Sequence, residues 1–365
     1  RQRVLAKVEV PMETVEASTA SADAESTKAL LEQHAARRID LNKAPLFRIV
    51  VVECADASVF LLVMHHIIGD GWSMQVFSRE LQALYDANRH GTSVQLSPMR
   101  LQYRDYAVWQ NQAGTSRGQA FWAQQLDGVT GPLRLPFDGA ANDDAQRGDR
   151  RRSVLPAACS AGLRALAAQR STTVSNVMLS VFQLFLYQLT RQDDICVGVV
   201  AANRGRAELE PLLGVFVNLL VVRTHFSPDM EFEQLLDAVT DTSYAVLEHQ
   251  DYPYDWVLRD FGVRVAGEEK RLVNVVYAFQ NAFDINVADA LQAASTPVLE
   301  TSRFDLDFPF AKFDLTLLVE AAGEQLELIL EYDADAWSAS SIERYLDILE
   351  RFAQTIATSA VEESS

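Results

Sequence analysis

Two hydrophobic periods alternate along this chain, and the switches between them mark its elements. Residues 3–10 alternate apolar and polar side chains as a strand does, residues 16–26 read as a loop, and residues 27–37 read as a short helix. An apolar strand over residues 45–53 is joined across Ala55-Asp56-Ala57 to a second one, which predicts a hairpin. The second strand is Val59-Phe60-Leu61-Leu62-Val63-Met64, an unbroken apolar run with the pattern of a strand buried on both faces. It stops at His65-His66 and continues as Ile67-Ile68-Gly69-Asp70-Gly71-Trp72-Ser73. The glycines permit a tight bend, and Ser73 is placed to cap a helix. In that helix Phe77, Leu81, Leu84 and Tyr85 share one face, and Gly91 ends it.

A second helix is predicted from Tyr103 to about residue 126. Residues 136–150 are the most polar and turn-rich stretch of the chain. That stretch is the expected domain boundary, dividing an N-terminal lobe, 1–140, from a C-terminal one, 141–365. Beyond it come strands near 151–155, 195–200, 216–223 and 272–279, and helices over 160–169, 173–191 and 231–248. A hairpin turns at Ala322-Gly323-Glu324, and a last helix starts at Ser340 and Glu343, which have capping-box spacing. Strands and helices mix through both halves, so the expected class is α+β, an α/β sandwich.

Composition narrows the function. The 365 residues are 48% apolar and 22% charged, which suits a globular protein of about two domains. A net charge of −18, from 50 acidic and 32 basic side chains, disfavours nucleic acid and anionic membrane as partners. No apolar run approaches a membrane span, and the first residues lack the apolar core of an export signal. Three scattered cysteines, Cys54, Cys159 and Cys196, fit a reducing cytoplasm better than a disulfide framework.

The chemistry gathers at the double histidine. Adjacent strand side chains point to opposite faces, so one imidazole would face a cavity and the other pack behind it. A metal site is not expected, because no third ligand stands at a familiar spacing. Asp70 could orient an imidazole or brace the loop by pairing with an arginine. Gly-x-Ser-x-Gly is absent, which favours a histidine acting directly on substrates without a covalent intermediate.

His65-His66-Ile67-Ile68-Gly69-Asp70-Gly71 resembles the HHxxxDG motif of the condensation domains of nonribosomal peptide synthetases. Other segments resemble the family in the same order. They are Tyr103–Gln110, Asp194–Gly198, Asn203-Arg204, Gly214–Arg223, His249–Asp255, Phe279-Gln280-Asn281 and Lys312–Leu315. The family's earlier SxAQxRLW-like and RHExLRTxF-like motifs have no counterpart here, so the chain is expected to lack the family's N-terminal segment.

The resemblance implies two chloramphenicol-acetyltransferase-like lobes in a V-shaped pseudo-dimer with a tunnel between them. Donor and acceptor peptidyl carrier domains would bring thioesters on phosphopantetheine arms, with no permanently bound cofactor, and an adenylation domain of the same synthetase would be adjacent. By carry-over, His66 would touch the attacking amine, and Gly71 would leave space and a backbone N–H near the thioester. His65 would be structural, Asp70 would pair with Arg223, and Asn281 and Ser73 would contact substrate. A related acyltransferase that forms esters or uses a free acceptor, and a non-catalytic platform, are the competing readings.

Overall fold

The computed structural model describes residues 5–17, 21–96, 98–112, 116–139, 147–264, 270–280, 304, 306 and 310–363. The chain divides into two compact units. The first holds Arg1–Tyr106, Arg204–Phe216 and Ile285–Asp307, and the second holds Ala107–Asn203, Val217–Asp284 and Phe308–Ser365. This division differs from one break near residue 140. The chain changes unit after Tyr106, and the polar stretch around 136–150 lies within the second unit.

The first unit is built on a three-stranded sheet, β1 (Met12–Ala17), β2 (Phe47–Cys54) and β3 (Ser58–Met64). β1 runs parallel to β2, and β2 and β3 form the expected hairpin, with Phe47 opposite Met64. The strand expected over 3–10 instead begins at Met12, where the chain first meets the β2 ladder. Helix α1 (Glu25–Ala36) contributes Leu31 to a core with Val50 and Val52, and Phe304 and Leu306 pack against it. β3 is not buried on both faces. Among the described residues it has one neighbour in its sheet, none of its residues is buried, and Phe60 is 46% exposed. Helix α2 (Gly71–His90) follows and closes on Gly91, whose φ of 62° is the left-handed C-terminal stop that favours glycine. Helix α3 (Tyr103–Gln112) spans the change of unit.

In the second unit α4 (Ser116–Gln125) follows; the long helix expected from Tyr103 is described over Tyr103–Gln112 and Ser116–Gln125, and residues 113–115 lie outside the described residues. Next come β4 (Gly148–Val154), α5 (Ala157–Gln169), α6 (Val174–Thr190), β5 (Asp194–Ala201) and β6 (Asn218–His225). They are followed by α7 (Phe232–Glu248), α8 (Tyr254–Phe261), the short β7 (Val263–Arg264) and β8 (Lys270–Arg271), and β9 (Val275–Gln280). β10 (Leu315–Ala322), β11 (Gln325–Asp333) and α9 (Ala339–Glu363) complete it. Its main sheet has the order β4-β11-β10-β9-β5-β6, with β9 parallel to both β5 and β10 and the other pairs antiparallel. α6 is apolar nearly all round, and every residue from Asn176 to Phe182 is buried, so it forms the centre of this core. α5 and α9 pack against it. Burial pushes the Cys196 thiol up to about 12 and the Cys159 thiol to about 11, which suits packing and not reactivity. No helix among the described residues is long and apolar enough to cross a membrane.

The N-terminus of α9 is held from elsewhere in the sequence. Ser338, not Ser340, accepts the Ser341 N–H, and the Asp138 carboxylate accepts from the Ser338 N–H and from the hydroxyls of Ser338 and Ser341. The Ser341 hydroxyl and the Ser338 donors lower Asp138 to about 2. A depressed carboxylate stabilises the fold above its unfolded pKa of about 3.9, and that contribution fades as pH falls through the folded value. Asp138→Asn should therefore lower the urea midpoint at pH 7 by under ~1 kcal/mol in stability, because the group is exposed. The difference from wild type should shrink between about pH 4 and pH 2. A difference that stays constant over that range would show that Asp138 carries no charge-dependent stability.

Candidate active site

The loop between β3 and α2 lies wholly in the first unit, and each of its residues has a definable task. β3 ends at Met64, so the two histidines lie beyond the strand and its alternation does not separate them. A single 3-10 turn, His66–Ile68, does so instead. His65 caps that turn. Its Nδ1 accepts the Ile67 N–H at 3.1 Å, its backbone N–H donates to the Leu46 carbonyl, and its own carbonyl accepts from Ile68. His65 is thus tied back into the hairpin, while His66, one residue on, is exposed at the start of the turn. Gly69 closes the turn by donating its N–H to the His66 carbonyl.

Asp70, and not Ser73, caps α2. Its Oδ1 accepts the Ser73 N–H at 2.9 Å and the Ser73 hydroxyl at 2.7 Å. Gly71 is consequently the first residue of a 20-residue helix, where backbone N–H groups have no partner in the turn before them and the helix dipole is positive.

The partner expected for Asp70 has to be corrected. The Asp70 carboxylate pairs with Arg204, whose Nη2 lies 3.1 Å from Oδ1, and the Phe216 N–H donates to Oδ2 at 2.9 Å. Both side chains of the pair are essentially buried, with 1% exposure for Arg204 and 0% for Asp70. Burial lowers the Arg204 guanidinium below its ordinary value, while the Asp70 charge acts in the opposite direction. Arg204 also donates from Nη1 to the Leu209 and Leu212 carbonyls and lies 4.1 Å over the Phe216 ring. It thereby ties the segment Arg204–Phe216 to the loop. Asn203, just before it, holds a φ of 52°, a left-handed conformation that asparagine tolerates better than most residues.

Arg223 has a different task. The β5–β6 register sets Asp194 opposite His225 and Cys196 opposite Arg223, so Arg223 meets Asp194 diagonally on the same face of the sheet. The pair is bidentate at 2.8 and 2.9 Å, and Nη1 donates to the Gln125 and Asp127 carbonyls at the end of α4. The Asp194 hydrogen bond raises the Arg223 guanidinium.

Ser73 is expected at the substrate, and its surroundings argue otherwise. The side chain has no exposure, and its hydroxyl lies within hydrogen-bond distance of Asp70 Oδ1, Arg204 Nη2 and both the N–H and the carbonyl of Gly214. Asn281 lies outside the described residues. Among the described residues no group of three or more potential ligands could hold a metal ion. Sequence reasoning misses Arg204 because it sits in a polar loop, where a guanidinium normally meets solvent. The available signal is its place directly after an asparagine in a stretch between two apolar strands.

The site consists of one exposed imidazole, one helix N-terminus beside it and a buried charged network behind both. Such an arrangement can orient a nucleophile, accept a proton and stabilise a developing oxyanion.

Known proteins resemble this chain over nearly its whole length. Residues 1–364 match the Condensation domain family. Malpibaldin synthetase from Mortierella alpina is 32% identical over 341 residues, which are 91% of this chain and 6% of that protein. The chain thus spans a small fraction of that relative's length. The X-domain from teicoplanin biosynthesis superposes with a TM-score of 0.85 at 22% identity, over 98% of this chain and 81% of the other. A four-domain nonribosomal peptide synthetase bound to AMP and glycine gives 0.79 at 21% identity, over 96% of this chain and 27% of the other. At these identities the solved structures establish the fold, which is the expected α+β class of the chloramphenicol-acetyltransferase-like condensation domains. With a family match over almost every residue, and with the histidine pair set on a turn braced by Asp70 and Arg204, the chain belongs to the Condensation domain family.

Proposed function

We propose that this chain forms an amide bond between a donor acyl or peptidyl thioester and the amine of an acceptor aminoacyl thioester. Each substrate arrives on the phosphopantetheine arm of a peptidyl carrier domain. The observation that carries this reading is the exposed His66 imidazole on a turn whose backbone is bonded from behind, in a chain of the Condensation domain family. The acceptor nitrogen attacks the thioester carbon, His66 positions the amine and takes its proton, and the carbonyl oxygen gains negative charge near the Gly71 N–H. The C–S bond then breaks, and the departing thiolate takes up a proton. No covalent intermediate on the protein is needed.

Donor and acceptor carrier domains are the proposed partners, with an adenylation domain of the same synthetase adjacent, in the cytoplasm. Asn281 is a proposed polar contact to substrate. His65, Asp70, Arg204 and Ser73 are proposed to hold the loop.

Intact-mass measurement tests the reaction directly. Panels of donor and acceptor carriers, loaded with aliphatic, aromatic and charged amino acids, should yield the condensed species on the acceptor carrier. Product formed solely with hydroxy-acid acceptors would assign ester formation instead. A folded chain that gives no product with any pair would overturn the catalytic reading.

A further inference from the structure

The loop is held from a second direction. We infer that Tyr103 and Gly214 are positioning residues for His66, acting through a ring-on-glycine contact that presses the segment Arg204–Phe216 onto Ser73 and Asp70. This inference rests on the amide-forming role proposed for His66.

Gly214 is required by space and not by conformation. A Cβ built on it would overlap the Tyr103 ring at Cδ2, come within 2.8 Å of Cε2 and lie 3.0 Å from the Phe216 ring. These are rigid ring atoms, unlike the end of a flexible chain, so the neighbours cannot yield without moving an aromatic ring. The close approach brings both backbone polar atoms of Gly214 to the Ser73 hydroxyl, whose single proton faces the Gly214 carbonyl and Asp70 Oδ1 as alternative acceptors. The Gly214 N–H donates to the Ser73 hydroxyl at 3.0 Å, and its carbonyl lies 2.9 Å from the same oxygen.

Tyr103 secures the two residues that follow. Its hydroxyl donates to the Val215 carbonyl at 2.9 Å, and its ring meets Phe216 edge-on at 5.2 Å. Phe216 in turn donates its N–H to the Asp70 carboxylate and underlies Arg204. Burial raises the Tyr103 hydroxyl above its ordinary value and the nearby Asp70 charge adds to this, so the group stays a neutral donor. The N-terminus of α3 is thereby linked through Gly214 and Phe216 to both oxygens of Asp70, four residues from His66. From Asp70 the loop runs back through Gly69, whose N–H is bonded to the His66 carbonyl. The contact controls the height of the turn on which the imidazole sits.

A size exchange tests this. Gly214→Ala should lower the single-turnover rate roughly 10–10²-fold, the scale of a misplaced catalytic group, and should shift the His66 imidazole C–H resonance. Tyr103→Leu should also move that resonance, whereas Tyr103→Phe keeps the ring seated and should leave it near wild type. The double variant Gly214→Ala/Tyr103→Leu removes the clash and should recover part of the rate lost by Gly214→Ala. A loss of packing alone would change the unfolding midpoint without moving the resonance in folded protein. If Gly214→Ala does not fold, the Tyr103→Leu and Tyr103→Phe pair gives the answer. A folded Tyr103→Leu protein with an unshifted His66 resonance and wild-type rate overturns the inference. His66→Ala at wild-type rate would instead overturn the catalytic reading, and the resonance shifts would still judge the positioning.

Discussion

Arg204→Met should be the most destabilising single substitution at this site, costing about 3–5 kcal/mol. Removing the guanidinium takes the Arg204 charge away from an Asp70 carboxylate that has no solvent exposure, while the Ser73 and Phe216 donors remain. It also takes the donor from the Leu209 and Leu212 carbonyls, so the segment Arg204–Phe216 loses internal bonds as well as one of its ties to the loop. Arg204→Lys should rescue little, because a single ammonium cannot serve the Asp70 carboxylate and the two carbonyls in the directions a guanidinium covers. Arg204→Met/Asp70→Asn should recover a substantial part of the loss, since it removes both charges of the pair. Urea unfolding followed by circular dichroism measures all three. An Arg204→Met protein with the wild-type midpoint would show that the pair does not hold the loop.

The largest effect on rate belongs to His66. His66→Ala should slow amide formation by roughly 10²–10⁴-fold where proton transfer limits the reaction. The size of the effect follows from how much help the acceptor requires. An α-amino group with a pKa of about 7.7–8.0 is already about a tenth to a sixth neutral at pH 7, and a thiolate is a tolerable leaving group. His66 therefore acts mainly by holding the amine and taking a proton late. Acceptors that attack readily should be less sensitive to the substitution than poor nucleophiles. Stability should change little, because His66 is exposed on a turn whose tie to Gly69 runs through the backbone. Single-turnover kinetics across several acceptors check this, and a wild-type rate with all of them would remove His66 from the mechanism.

These two predictions sit on opposite sides of what the chain discloses by itself. The hairpin of β2 and β3, the helix ending at Gly91, the apolar α6 and the hairpin of β10 and β11 follow from local signals. Each is specified by side-chain period, by turn residues or by a left-handed stop, within a few residues of the element concerned. The double histidine and the Asp70 loop are legible for the same reason, since a run of apolar residues ends there against glycines.

Errors arise wherever the deciding neighbour is distant. β3 reads as doubly buried, yet none of its residues is buried and it has one neighbour in its sheet among the described residues, and neither is a property of the strand's own residues. Ser73 reads as a helix cap or a substrate contact because serines do both. Its position against Gly214, 141 residues on, makes it a buried crosspoint of the network. Arg223 and Arg204 are chemically equivalent candidates for Asp70. Strand register assigns Arg223 to Asp194, and the path of the chain after Asn203 delivers Arg204 to Asp70.

By itself, then, the sequence determined the element types, the loop that carries the histidines and the family. Only the tertiary structure decided which arginine neutralises Asp70, which residue caps α2 and which imidazole is left exposed. The physical reason is range. Backbone propensity and hydrophobic period act over a few residues, whereas a buried charge is satisfied by whichever opposite charge the completed fold brings to it, here across 134 positions.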